Sequence, residues 1–363
     1  MLDTARVRGF DVATLVAALL LVAAGLTMVA SIEEPSAKVT LAQKQTLALV
    51  AGLVLFALIV AVDYHTIAAF ALPLYGAGLA LLVVVLVIGR SIANTHSWIE
   101  FGPIRLQPSE PMKPLTALML ATVLGDRLPE DLGFRDFFRL SAIMGAPMVL
   151  ILVEPDMGTV LTYIPMFIAA IFLAGLRWKT ILWLVLVGAL AAPIGWHFVL
   201  KEYQKERIYT VIDPSRDPEG IGYQVHQSRI AIGSGGGTGR GFGEGTQSRL
   251  KFLPQQHTAF IFAFVAEEKG FLGAGAVLGV LVWLIFRILQ TARLARDKLG
   301  LHIAALIGVQ IAGQTLINLG MVLGLLPTIG VPLPLVSYGG SSVIANLMAL
   351  GLVASVRMRR FVN

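Results

Sequence analysis

Ten apolar stretches dominate this chain, near residues 10–31, 43–63, 66–89, 110–125, 139–153, 157–175, 180–200, 262–287, 301–326 and 337–356. Each is long enough, or nearly so, to cross a hydrocarbon core of about 30 Å. Lipid offers no partner for a backbone N–H or C=O, so segments of this kind have to satisfy those groups internally, as helices do. Hydrophobic residues make up 56% of the 363 and charged residues only 14%, where a soluble domain would carry about 25%. The expectation is an all-α integral membrane protein: one polytopic domain, 1–363, of ten transmembrane helices. Arg6 and Arg8 precede the first stretch as they would in a signal peptide. Its apolar run is too long for a cleaved leader and further spans follow, so it reads as a retained anchor.

Charge tests the count. With a cytoplasmic N-terminus, alternate connections should hold the basic residues. They do: Arg6 and Arg8; Arg127, Arg135 and Arg139; Arg177 and Lys179; Arg293, Arg296 and Lys298; Arg357, Arg359 and Arg360. Both termini are expected in the cytoplasm and the long connection between spans seven and eight, residues 201–259, outside. The formal net charge of +6 then reflects topology and anionic lipid contact, not nucleic-acid binding. Cysteine is absent, which removes disulfides and thiolate metal sites. The six histidines lack a metal-ligand spacing, so no preformed zinc site is expected.

The 201–259 connection turns polar and glycine-rich. Long loops of this kind are usually functional, and Arg229, Arg240, Arg249 and Lys251 offer guanidinium and ammonium groups suited to phosphate oxygens. The run from Gly233 to Gly245 fits neither GxGxxG nor GxxxxGK[ST] in any register, so no nucleotide fold is indicated. Taken alone it reads as a flexible exposed loop.

Elsewhere polar residues interrupt apolar sequence. Glu110 and Lys113, three apart beside Pro108 and Pro111, share one helix face. Charges inside spans usually face a cavity or a partner, although an ion pair at a helix start would look the same. Asp156 in EPDMGT suits a helix N-cap. Glu267 and Glu268 in AEEKG point in different directions on a helix, so at most one faces a cavity. Residues 325–347 combine Pro327, Pro332 and Pro334 with Ser337, Tyr338, Ser341 and Ser342, a bent segment with neutral hydrogen-bonding groups.

In this order, FGPIRLQPSEPMK, EPDMGT, DPEGIGYQVHQSRIAIGSGG, GTQSRLKFLPQQHTAFIFAFVAEEKGFLG, INLGMVLGLLP and GVPLPLVSYGGSS resemble the SEDS family (shape, elongation, division and sporulation proteins). The short tails and GTQSRLKFLP resemble its rod-shape branch more than its division branch. The resemblance implies a glycosyltransferase of the bacterial cytoplasmic membrane that polymerises lipid II into glycan strands on the outer side. It also implies a class B penicillin-binding protein as partner. It assigns Glu110 and Lys113 to catalysis and Gln107, Asp156, Glu206, Arg207 and Ser337 to substrate binding. No cofactor is required by it, and a divalent cation at the pyrophosphate stays open.

One position departs. The family writes HTDFIF where this chain has His257, Thr258, Ala259 and Phe260. A sugar hydroxyl that attacks an anomeric carbon needs a carboxylate to take its proton, or to hold a cation at the leaving pyrophosphate. Alanine does neither, so Ala259 implies an impaired enzyme, with the look of an engineered inactive variant. Substitution at a small exposed position should scarcely alter stability. The rival readings are a flippase for the lipid-linked precursor, which the lack of an internal repeat opposes, and a non-enzymatic scaffold for penicillin-binding proteins.

Overall fold

The computed structural model describes residues 9–32, 40–92, 95–101, 104–125, 134–175, 202–213, 217, 220–250, 252–253 and 257–360, with isolated positions between 182 and 197. The seventh apolar stretch, 180–200, falls largely outside the described residues, as do Arg6, Arg8, Arg127, Arg177, Lys179 and Lys251. Each of the other nine overlaps a helix. In chain order these are α1 (Val12–Ile32), α2 (Leu41–Ala61), α3 (Tyr64–Ala69), α4 (Ala71–Ile88), α5 (Ser109–Gly125), α6 (Phe134–Val153) and α7 (Met157–Leu173). After 200 come α8 (Glu202–Ile212), α9 (Ile221–Ser234), α10 (Thr246–Arg249), α11 (Ile261–Leu294), α12 (Lys298–Val322) and α13 (Gly340–Met358). Among the described residues seven helices are long and apolar enough to cross a membrane: α1, α2, α4, α6, α11, α12 and α13.

The protein is mostly helical but not all-α. Strands β1 (Arg90–Ile92), β2 (Thr95–Phe101) and β3 (Ile104–Leu106) form a small antiparallel sheet between α4 and α5. Trp98, Ile99 and Phe101 favour a pleated surface, and β2 pairs Ile99 with Leu106 and Phe101 with Ile104. This corrects the all-helical expectation.

Burial separates the centre of the bundle from its rim. Within the apolar windows, 83% of α13 and 67% of α12 is buried, against 17% of α2. α13 packs along α2 and α5, and α12 along α5, α7 and α11. The polar residues of α5 therefore lie at the middle of the molecule.

The 201–259 connection is not structureless. It carries α8, α9 and α10, and its glycine run packs against protein. The cause lies in α11, which breaks at Gly270 (φ 66°, ψ −167°). A break frees backbone groups that lipid cannot satisfy. The glycine run supplies the partners: Phe271 N donates to Gly236 O (2.8 Å) and Leu272 N to Gly237 O (3.1 Å). In return Arg240 N donates to Glu267 O (3.0 Å) and Gly241 N to Glu268 O (3.2 Å). Gly239, at φ 87°, lies so close that a Cβ there would collide with Glu268 O. The flexible reading of the run is corrected accordingly, although Gly233, Gly236 and Gly237 remain exposed.

At the opposite end of the bundle ion pairs fasten the helix termini. Asp11 holds Arg287 and Arg357, and Arg359 reaches Asp63 (3.1 Å). Asp297, the N-cap of α12, accepts from Gly300 N (2.7 Å) and Tyr64 Oη (2.8 Å). Arg357 and Arg359, counted above as loop charges, are thus buried structural partners.

Candidate functional site

α5 opens two residues after β3, and its first two turns carry the charged pair. Lys113 Nζ lies 2.7 Å from Glu110 Oε1, and each residue is only 3% exposed. The spacing of three places both on one face, as anticipated. Lys113 Nζ also donates to Gln314 Oε1 on α12 (3.1 Å). Around them lies a narrow cleft, lined by Pro114, Gln310, Gln314 and Asn346 besides the pair.

The α12 amides form a ladder. Gln310, Gln314 and Asn318 recur every four residues and so share a face. Gln310 Nε2 donates to Gln314 Oε1 (3.0 Å), and Gln314 Nε2 to Pro332 O (2.9 Å). One turn further, Asn318 Nδ2 donates both to Val331 O (2.7 Å) and to Ala259 O (2.8 Å).

Residues 257–259 are clamped by their carbonyls. His257 O accepts from Tyr338 N (2.8 Å), Thr258 O from Ser337 Oγ (2.6 Å), and Ala259 O from Asn318 Nδ2. Ser337 is itself fixed, accepting from Leu333 N (2.7 Å) while its carbonyl accepts from Gln45 Nε2 (3.2 Å). Ala259 is 0% exposed. The expectation of an exposed position is corrected: three hydrogen bonds draw the segment beneath residues 331–338.

A second polar group lies where β3, α7 and α13 meet. Asp156 is the N-cap of α7, accepting from Thr159 N (3.0 Å) and Thr159 Oγ1 (2.7 Å). Gln107 Nε2 donates to the same carboxylate (2.9 Å), and Gln107 N to Ser341 Oγ (2.8 Å). The N-cap reading of Asp156 holds, yet the Gln107 bond joins it to the entry of α5. Burial holds the Asp156 carboxyl above its ordinary range, with the Thr159 bonds and then the Lys113 charge opposing the rise.

Glu154, two residues earlier, is fully buried. Burial pushes its carboxyl up to about 7 from an ordinary 4.5; Ser97 on β2 offsets this in part without full hydrogen-bond geometry, and the Asp156 charge adds to it. The folded state therefore keeps the proton longer than the unfolded chain. Stability falls as pH rises from about 4.5 to 7 and levels off above. The full swing corresponds to about 3 kcal/mol. Glu154→Gln should melt with the parent at pH 5 and above it at pH 8. Parallel melting curves for the two across that range would refute the assignment.

The remaining residues stand on other elements. Glu206 and Arg207 lie on α8, which packs on α9; Glu206 is exposed and Arg207 half-buried. The structure thus gathers Gln107 with Asp156, Glu110 with Lys113, and Ser337 with the 257–259 segment. Glu267 and Glu268 are both buried; the Glu267 side chain serves the loop and that of Glu268 reaches α1. Glu267 accepts from Gln247 N (2.8 Å), and Glu268 from Ser31 Oγ (3.0 Å). Sequence reasoning overlooked Gln45, Gln310, Gln314 and Asn318. The signal was available: amides repeated every four residues within an apolar span are costly there and call for partners.

Comparison with known proteins places this arrangement. The profile of the FtsW/RodA/SpoVE family, described as cell cycle proteins, matches residues 10–361. The chain is 38% identical over 310 residues to the peptidoglycan glycosyltransferase MrdB of Escherichia coli, covering 85% of this chain and 83% of that one. It is 35% identical over 363 residues to a probable peptidoglycan glycosyltransferase FtsW of Thiomicrospira cyclica, covering 96% and 92%. Among solved structures, a chain of a peptidoglycan synthase complex that coordinates polymerization and crosslinking superposes with a TM-score of 0.85 at 32% identity, covering 98% and 99%. The rod shape determining protein RodA of Thermus thermophilus, in a mutant with one aspartate replaced by alanine, gives 0.73 at 29% identity, covering 98% and 99%. With nearly its whole length matched, the chain belongs to the FtsW/RodA/SpoVE family.

Proposed function

We propose that this chain is a lipid II polymerase of the bacterial cytoplasmic membrane, held in an impaired state by alanine at position 259. The observation that carries this reading is the buried Glu110–Lys113 pair, tied through Gln314 and the α12 face to the clamped 257–259 segment. Lys113 has three N–H donors, of which two go to Glu110 and Gln314. The third serves an anionic oxygen of the pyrophosphate leaving group, whose charge grows in the transition state. Gln107, Asp156 and Ser337 shape the polar floor, and Arg207 with Glu206 contacts the substrate from α8. The proton of the attacking hydroxyl needs an acceptor beside the clamp, where Ala259 has none.

The described residues do not fit a resident divalent cation. No group of three His, Asp or Glu side chains gathers among them, Gln107 and Thr159 occupy both oxygens of Asp156, and the Ala259 side chain has no ligand atom while its carbonyl accepts from Asn318. Polymerised strands would pass to a class B penicillin-binding protein for crosslinking, since the likeness at 0.85 is to a chain of a synthase complex. Purified protein incubated with labelled lipid II, with aspartate or alanine at position 259, tests the function. Strand formation by the aspartate form supports it; lipid flipping without strands favours the flippase, and neither activity favours the scaffold.

The same reading places the sheet, the glycine run and the clamp on the outer side, and both termini inside, within ten spans. Cysteines introduced singly at the exposed Glu244 and Arg293 should label from opposite faces of right-side-out vesicles with an impermeant thiol reagent. Labelling from one face would overturn the topology.

A further inference from the structure

Gln310, Gln314 and Asn318 are buried amides, and Gln314 and Asn318 are 0% exposed. An apolar residue at any of them would be the cheaper occupant if α12 only had to pack. The contacts show what the amides add. Gln314 holds Lys113 Nζ with its oxygen and Pro332 O with its nitrogen. Asn318, one turn away, holds Val331 O and Ala259 O with the two hydrogens of one nitrogen. Two neighbouring carbonyls of the bent segment, 331 and 332, are thereby attached to the same helix face that carries the ammonium and residue 259.

We infer that Gln314 and Asn318 are positioning residues that hold the Lys113 ammonium and the backbone of residue 259 in one rigid frame. The inference rests on the polymerase reading above. The bland alternative is that the amides merely satisfy carbonyls freed by Pro332 and Pro334. That alternative accounts for the bonds to Val331 and Pro332. It leaves unexplained why the same two side chains also reach Lys113 and Ala259. An ammonium aimed at the leaving group and a base aimed at the hydroxyl act together only at a fixed separation. Misplacement by about 1 Å costs on the order of 10²-fold in rate.

The test uses the full chain in nanodiscs. In the Ala259→Asp form, Asn318→Ala should lower kcat by about 10²-fold with KM little changed. Asn318→Leu, close in size but without a donor, should fail alike, whereas Asn318→Gln, which keeps the donor, should recover part of the rate. Gln314→Leu, which frees Lys113 from one partner, should also lower kcat rather than raise KM. A lower melting temperature with kcat unchanged would make the amides structural only and overturn the inference. A second measurement needs no catalysis: hydrogen exchange of peptides covering residues 257–264 in the Ala259 chain should quicken on Asn318→Ala. Unchanged exchange there would overturn the clamp. An Ala259→Asp form that makes no strands would overturn the function reading itself, and the exchange result would still decide the clamp.

Discussion

Replacing Ala259 by aspartate is expected to raise the rate of lipid II polymerisation by about 10²- to 10⁴-fold, the usual contribution of a positioned acid or base. The frame for the carboxylate is already built. His257, Thr258 and Ala259 are held by their carbonyls whether or not a side chain projects from residue 259. The alanine chain is therefore expected to fold and to bind its partner normally. Because Ala259 is wholly buried, the gain carries a signature. A carboxylate placed there is short of solvent, and burying an ionised group costs stability. The aspartate form should thus polymerise faster while melting a few degrees lower, the opposition seen where activity and stability compete. Ala259→Asn separates shape from chemistry: it matches aspartate in size, lacks the acid, and should stay as slow as alanine. Equal rates for the alanine and aspartate forms would sink the assignment of this position to the chemistry. Glu110, Glu206 or Asp156 would then be the groups to examine for the base.

Much of the architecture was legible because it depends on local pattern. Length and hydropathy locate nine helices, and the spacing of Glu110 and Lys113 predicts their contact, which the structure shows at 2.7 Å. What escaped depends on partners far away in sequence. Gln314 meets Lys113 across 201 residues, and Asn318 meets Ala259 across 59; no short window encodes either pairing. The glycine run misled because flexible loops and closely packed backbone share one composition. Only the break at Gly270, which needs carbonyls and N–H groups brought to it, distinguishes the two. Position 259 ends a polar connection read as exposed, yet the His257 ring meets Tyr338 and the backbone carbonyls of 257–259 accept from Tyr338 N, Ser337 Oγ and Asn318 Nδ2. The small sheet at 90–106 was hidden by its length, with strands of three, seven and three residues.

Removing Lys113 alone should be among the most destabilising single changes in the protein. Lys113→Met leaves the Glu110 carboxylate buried without its counter-charge, and breaking such a pair from one side costs about 3–5 kcal/mol. The change also strips Gln314 of a donor to its side-chain oxygen, leaving only Gln310 there. Glu110→Gln should cost less, since the remaining ammonium keeps Gln314 and gains a neutral amide oxygen. The double substitution Glu110→Gln with Lys113→Met removes both charges, so it should recover most of the stability lost in Lys113→Met. Unfolding of the four forms in one detergent makes a double-mutant cycle that reads the coupling directly. Activity should not follow stability. In the Ala259→Asp background the double variant, though well folded, is expected to polymerise no better than Lys113→Met, because the ammonium proposed to neutralise the leaving pyrophosphate is gone from both. Additive losses of stability would show that the two charges do not act as a pair. A double variant that recovered both stability and polymerisation would show that the pair serves the fold alone, and the site would have to be sought around Asp156 and Gln107.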